Sequence, residues 1–335
     1  MKSTQKFTRG VVAQPVDELD LVALPPGAHR LRLAVGEDGT SASMRVPVHV
    51  LKGSEPGPTV GITAAVHGNE VNGISSIHRL YRRLDSKALK GTVVAAAPIN
   101  LPGYSRNQRE FSDGKDLNRA FPGKADGSES QVYAHAVLQK IIRRFDYLLD
   151  LHTASFGRIN SLYIRADMTR AKTAELARVI RPQIIVHNKS GDGTLRGAAE
   201  ELGICAITVE IGNPQRAQPN MVRNSSAGLR EVLEHLGMVE EDDESPRTGP
   251  TVECSSSFWL YTDGGGFLEV FPDLRDAVER GQPVAQLLNE WGEVHRTYEA
   301  PQQGVVVGMA TNPVAQTGSR ILHLGIEGTV AIERD

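Results

Sequence analysis

The stretch Ala64-Ala65-Val66-His67-Gly68-Asn69-Glu70 decides how this chain folds. It closes a run of small and β-branched residues, Thr59, Val60, Ile62, Ala64 and Val66, that fits a strand buried on both faces. At His67 the apolar run stops, a glycine follows, and Glu70 comes three residues after the histidine. A strand is therefore expected to pass through a turn into a helix, bringing two metal-ligating side chains to one point. Val71, Ile74, Ile77, Leu80, Tyr81 and Leu84 continue at helical spacing. An H-x-x-E pair alone is common. Its weight comes from two later apolar segments, which end in Asp150-Leu151-His152 and Val209-Glu210-Ile211-Gly212.

Outward from this turn, strand and helix alternate. Residues 92–99 and 147–151 read as buried strands, and Ser128-x-x-Gln131 resembles a capping box that opens a helix to about Phe145. A helix over 169–181, a strand over Ile184–His187 and a helix over 195–202 stopped by Gly203 follow; then come a strand over 204–211 and a helix over 225–236. Crossover helices between strands predict an α/β fold with a mainly parallel or mixed sheet and flanking helices. Sites in such sheets gather beyond the carboxyl ends of strands, where His67, His152 and Glu210 all fall. Upstream, Leu31, Leu33 and Val35 face Val46, Val48 and Val50 across a turn, as in a half-buried hairpin. The chain before Gly27 shows no pattern.

At 335 residues there is room for one large domain and one small one. The acidic run 240–244, with Ser245-Pro246 and Gly249-Pro250 after it, reads as a solvated linker dividing residues 1–245 from 246–335. Beyond it the pattern is all-β, over 258–261, 264–271, Pro283–Leu288, 304–307 and 321–324. A net charge of −3 offers no basic surface for nucleic acid or anionic membrane. Cys205 and Cys254 are too few for a disulfide framework, and Cys205 reads as a small core residue. Residues 1–9 are polar, and no run approaches about 18 apolar residues, so a cytoplasmic location is expected.

Catalytic zinc takes three protein ligands and leaves a position for water, and two histidines with one glutamate form an established set. His67, Glu70 and His152 supply it. Such an ion lowers the pKa of water to about 7 and polarises a carbonyl, so a base and a positive charge for the oxyanion are also needed. Glu210, alone in the apolar run Ala206-Ile207-Thr208-Val209-Glu210-Ile211, is the natural base, because a carboxylate there is costly without a partner or a task. In Asp116-Leu117-Asn118-Arg119, Asp116 is suited to accept a ligand histidine's ring N–H, and Asn118 with Arg119 to hold a carboxylate. Arg106 and Arg109 are both candidates to polarise the scissile carbonyl.

The ordered set H-G-N-E, D-L-N-R, D-L-H and V-E-I-G resembles the succinylglutamate desuccinylase/aspartoacylase family of the zinc carboxypeptidase-like superfamily, over residues 64–215. The resemblance implies a carboxypeptidase-like mixed sheet, a small C-terminal β-domain, one Zn²⁺ per chain, and hydrolysis of the amide bond of an N-acyl amino acid. It makes His67, Glu70 and His152 the zinc ligands and Glu210 the general acid/base. Asn118 and Arg119 become the substrate-carboxylate pair. Arg109, with Arg106 as the alternative, falls near the carbonyl-polarising arginine, and Arg196 near a further substrate-binding one. Residues 267–325 are similar to a biotinyl/lipoyl-like sandwich, but 289–295 hold no lysine, so a cap or an oligomer contact is expected there rather than a carrier. His295 and His323 read as surface or structural. A carboxypeptidase acting on short peptides and a zinc-dependent binding module remain the competing readings, the latter disfavoured by Glu210. The expected partner is a small N-acyl amino acid, and N-acetyl-diaminobutyrate is one substrate among relatives with this two-domain layout. A homo-oligomer is left open.

Overall fold

The computed structural model describes residues 12–191 and 193–332; residues 1–9, read above as a polar start, lie outside them. After a short strand β1 (Gln14–Val16), the alternating residues of β2 (Gly27–Glu37) and β3 (Ser43–Lys52) form the expected hairpin, with Leu33, Val46 and Val50 fully buried. The strand β4 (Glu55–Ala64) leads to α1 (Asn72–Tyr81), β5 (Lys90–Ala96), α2 (Leu101–Arg106), α3 (Glu129–Lys140) and β6 (Tyr147–His152). Next come β7 (Arg158–Asn160), β8 (Leu162–Ala166), α4 (Ala171–Val179), β9 (Ile184–His187), α5 (Leu195–Glu201), β10 (Cys205–Ile211) and α6 (Pro219–His235).

The C-terminal part is all strand, as expected: β11 (Val252–Tyr261), β12 (Gly266–Val270), β13 (Ala277–Val278), β14 (Pro283–Leu288), β15 (Val294–Glu299), β16 (Gly304–Ala310), β17 (Val314–Ala315) and β18 (Arg320–Glu327). Among the described residues one fourteen-stranded mixed sheet runs β1-β2-β3-β5-β4-β6-β10-β8-β9-β11-β18-β16-β13, with β7 paired to β16. A second, small antiparallel sheet has the order β15-β14-β12-β17. Along β5, β6 and β10 successive residues face opposite cores, as the period of two requires. Val93, Leu149, Leu151, Ile207 and Val209 pack under α1, α4 and α6, whereas Val94, Leu148 and Ala206 pack under the hairpin, α3 and α5. Burying each such large aliphatic side chain stabilises the fold by about 1.5–3 kcal/mol, so the strand ends that carry the polar groups sit on a stiff base.

Several boundaries differ from the spacing. The strand β4 stops at Ala64, two residues early, because Ala65 turns into the left-handed region (φ 55°) and the carbonyls of Ala64 and Ala65 accept from Ile99 and Asn100. Helix α6 starts at Pro219, six residues before Ser225, since proline at a first helical position needs no N–H partner. The acidic run is not merely solvated: Asp242 pairs with Arg83 (2.8 Å) and Arg230 (3.3 Å), and Glu244 with Arg79 (2.7 Å), which pins it to α1 and α6. Cys205 and Cys254 are unbridged. No helix among the described residues is long and apolar enough to cross a membrane.

Candidate metal centre and active site

Three neighbouring parallel strands carry the chemistry. β6 lies between β4 and β10, with Thr63 beside Asp150 on one side and Glu210 beside His152 on the other, so their carboxyl ends are level. The turn after β4 crosses the backbone of α2 so closely that a Cβ on Gly68 would lie 2.0 Å from the carbonyl carbon of Gly103 and 2.2 Å from the nitrogen of Tyr104. Glycine is obligatory beside His67 for this reason. Gly68→Ala is expected to destabilise the protein by about 1–3 kcal/mol in chemical denaturation and to weaken metal binding, because the histidine must move with the displaced turn.

The ring nitrogen Nδ1 of His67 lies 2.9 Å from Glu70 Oε1, and Nδ1 of His152 lies 3.0 Å from Glu70 Oε2. The two Nδ1 atoms are 3.2 Å apart. The far nitrogens face carboxylates: His67 Nε2 is 3.0 Å from Asp116 Oδ1, and His152 Nε2 is 2.8 Å from Asp150 Oδ2. A carboxylate only accepts, so each Nε2 carries the hydrogen and each Nδ1 keeps its lone pair. Two lone pairs and the Glu70 carboxylate thus converge, buried, with their atoms all within 4.8 Å of one another. Without protons or a cation between them these atoms repel one another, and two imidazoles with one carboxylate suit zinc. The donor set fits the ion expected from the sequence.

Glu70 is further fixed by the Thr153 N–H (3.0 Å) and by Arg109 Nη1 (3.0 Å). Arg109 also donates to Asp116 Oδ2 at 2.7 Å and to Ser155 Oγ at 2.5 Å, so it braces one candidate ligand and the carboxylate that orients another. Arg106, at the end of α2, is exposed and lines no part of the cavity. Asn118 Oδ1 accepts from the Leu195 N–H (2.8 Å), which ties its loop to α5, and the exposed Arg119 stands next to it. Arg196 is buried, donates from Nη2 to Asn188 Oδ1 (2.8 Å), and has no partner for its buried Nη1.

Glu210 is buried at the end of β10, where Asn160 Nδ2 donates to its Oε2 at 3.2 Å and Arg165 Nε stands 3.6 Å from its Oε1. Burial pushes its carboxyl up from the ordinary range, and the charges of Arg165 and His152 only partly offset that. Arg165 is steered by the Tyr163 hydroxyl, which accepts from its Nη2 (2.6 Å) and Nε (3.0 Å). His67, Glu70, Arg109, Asn118, Arg119, His152, Asn160, Arg165, Arg196 and Glu210 line one cavity of about 500 Å³, with Arg158, Trp259 and Arg320 also on its wall, whereas Arg106, Asp116, Asp150 and Tyr163 do not line it.

Several of these residues escaped the sequence reading. Asp150 carried a signal, since it lies two residues before His152, on the same strand face, in an apolar run; the Thr63 hydroxyl holds it at 2.7 Å. Asn160 and Arg165 did not, because the sequence reading places no strand between residues 152 and 168, where β7 and β8 lie. Trp259 and Arg320 arrive from the far end of the chain, and only the fold brings them here. His323 is buried and stacked on Trp259 (5.1 Å, 11°), which fits its structural reading, and His295 is exposed.

Comparison with known proteins adds four findings. Residues 56–236 match the model of the succinylglutamate desuccinylase/aspartoacylase catalytic domain. N-alpha-acetyl-L-2,4-diaminobutyric acid deacetylase of Halomonas elongata is 27% identical over 290 residues, covering 82% of this chain and 84% of that protein. Succinylglutamate desuccinylase of Pseudomonas paraeruginosa is 31% identical over 202 residues, covering 56% and 59%. In fold, the product-bound ectoine utilization protein EutE of Ruegeria pomeroyi superposes with a TM-score of 0.81 at 22% identity, covering 91% of this chain and 98% of the other.

Proposed function

Because the chain belongs to the succinylglutamate desuccinylase/aspartoacylase family, we propose that it is a zinc-dependent hydrolase that cleaves the amide bond of an N-acyl amino acid. The observation that carries this is the meeting of the His67, Glu70 and His152 donor atoms with the buried Glu210 in one cavity. His67, Glu70 and His152 would hold the ion. When bound, Zn²⁺ acidifies water and polarises a carbonyl oxygen. Glu210 takes the proton of the attacking water and returns it to the departing amine, for which its raised carboxyl is matched. Arg109, locked in place by Glu70 and Asp116, supplies positive charge beside the developing oxyanion. Asn118 and Arg119 hold the substrate carboxylate, and Arg196 lends its unpartnered N–H to the same pocket. Arg106 is given no part, being outside the cavity.

We assign catalysis to residues 1–245 and a covering role to 246–335, the C-terminal strands being read as a biotinyl/lipoyl-like sandwich without its carrier lysine. The separate apolar cluster of Leu268, Val284, Leu287, Ile321, Leu322 and Leu324 supports that division. Zinc content measured with the hydrolysis of a panel of N-acyl amino acids and dipeptides tests the function. Turnover of the acylated amino acids and not the dipeptides is expected; preferential release of a C-terminal residue would make the chain a carboxypeptidase.

The base assignment has a pH signature. Glu210 must be ionised to accept a proton, so kcat/KM rises with pH through its pKa, which burial has raised. Arg165 pulls that value down, so Arg165→Gln is expected to move the acid limb to higher pH. A pH profile of kcat/KM reads this directly, and an unmoved limb would assign the limb to another group.

A further inference from the structure

Backbone pairing fixes the main chain of Glu210 but not its carboxylate. β10 is hydrogen-bonded to β6 on one side and to β8 on the other, so the Cα is held while the side-chain torsions depend on polar neighbours. Arg165 Nε, 3.6 Å from Oε1, is beyond hydrogen-bond reach and donates to the Tyr163 hydroxyl instead. Its charge attracts the carboxylate without giving it a direction. Among the described residues one hydrogen bond reaches that carboxylate, from Asn160 Nδ2 to Oε2 at 3.2 Å.

Asn160 is buried, and its strand takes no ladder partner from residues 1–245 among those described. β7 pairs with β16, which places Asn160 opposite Gly308, Ile159 opposite Met309 and Arg158 opposite Ala310. Both ends of β7 are fastened to the same stretch. Gly157 O accepts from the Thr311 N–H (2.8 Å), and Val307 O accepts from the N–H (3.1 Å) and the hydroxyl (3.0 Å) of Ser161. Val307 is the extra residue of a β-bulge, since β16 meets β18 at Val306 and again at Gly308 but not between them. A bulge leaves one residue unpaired and re-aims its strand, and here the unpaired carbonyl is the one that anchors Ser161.

Gly308 lies against the Asn160 amide. Its backbone is not left-handed, so an alanine there would meet no strain of that kind. Contact is what excludes it: a Cβ would lie 2.4 Å from Asn160 Oδ1 and 3.1 Å from Ile159 O. The closer of these atoms ends a side chain that can rotate, whereas the other belongs to a hydrogen-bonded strand. An added methyl group is therefore relieved by swinging the amide away from Glu210.

We infer that Asn160 is a positioning residue for Glu210 and that Gly308 of β16 sets it in place, so that the C-terminal strands aim the base as well as cover the cavity. The bond to Oε2 leaves Oε1 as the oxygen that takes the proton. The expected rates rest on the hydrolytic reading above; the contacts from β16 to Glu210 do not.

In zinc-loaded protein labelled with ¹⁵N-asparagine, the side-chain amide signals that vanish in Asn160→Ala belong to Asn160. They are expected to shift in Glu210→Gln, which exchanges a charged acceptor for a neutral one, and to shift in Gly308→Ala. Signals unmoved by either substitution would overturn the positioning role whatever the activity. Asn160→Ala is expected to lower kcat by about 10–100-fold at unchanged zinc content, the usual cost of a misplaced catalytic group, and Gly308→Ala by a similar factor. The double variant should be no slower than Asn160→Ala, because the atom that the new Cβ strikes is gone. Wild-type kcat in Asn160→Ala would remove Asn160 from this role, and losses that multiply in the double variant would remove Gly308. Should Gly308→Ala fail to fold, recovery of folding in the Asn160→Ala background supports the same contact, and failure there too overturns it. Shifted signals with no turnover of any N-acyl amino acid would leave the contact standing and count against the proposed reaction.

Discussion

Glu210→Gln is expected to lower kcat by about 10²–10⁴-fold, the usual worth of a positioned general acid/base, while leaving bound zinc at its wild-type content. The split follows from geometry. Glu210 lies outside the converging donor set of His67, Glu70 and His152, so its loss removes no ligand. Glutamine keeps the size of the side chain and can still accept from Asn160, so the fold around β10 should hold. It has no carboxylate to take a proton, and the other acid of the cavity, Glu70, is assigned to the ion together with both histidines and is held by Thr153 and Arg109. Steady-state kinetics with metal analysis on the same sample checks this. Wild-type turnover in the variant would remove Glu210 from the mechanism.

Stripping the metal with a chelator should abolish activity, and Zn²⁺ should restore it. The Lewis acid supplies several kcal/mol of transition-state stabilisation. At about 1.4 kcal/mol per tenfold, that amounts to a loss of about 10³-fold or more. His152→Ala should reproduce the loss and resist rescue, since one of three ligands is gone. Asp150→Asn is the finer test. It leaves all three ligands but replaces the acceptor that keeps the hydrogen on His152 Nε2, and should weaken zinc binding by about 10–100-fold. Zinc affinity from competition with a coloured chelator measures both variants. Unchanged affinity in His152→Ala would place the ion elsewhere.

The strands and helices around the site were legible because each polar residue of interest stands out against an apolar background. His67 breaks a β-branched run, His152 ends one, and Glu210 interrupts one. Asp116, Asn118 and Arg119 were legible only as a group. What stayed hidden is what long-range pairing creates. The edge of the cavity formed by Asn160 and Arg165 depends on β8 running antiparallel to β10, which no local spacing signals. The wall of Arg158, Trp259 and Arg320 joins Arg158 to residues more than a hundred positions later and exists only because β11, β18 and β16 extend the sheet. The choice between Arg106 and Arg109 was likewise a matter of the α2 turn, whose Asn107 at φ 53° ends the helix and lets the following segment reach back.

The sheet does not stop at the boundary near residue 245: β9 is hydrogen-bonded in parallel to β11 from Val252 to Cys254. Cutting the chain there would strip one side of β9 of its partner and leave Ile184, Ile185 and Val186 as a bare, apolar border. Such a border recruits other chains by strand addition. The part to which catalysis is assigned is thus not a portable module. Grafting it onto another scaffold, or trimming the C-terminal strands to widen the entrance, would trade a sealed flank for self-association, so redesign of substrate choice belongs in the side chains of the existing wall.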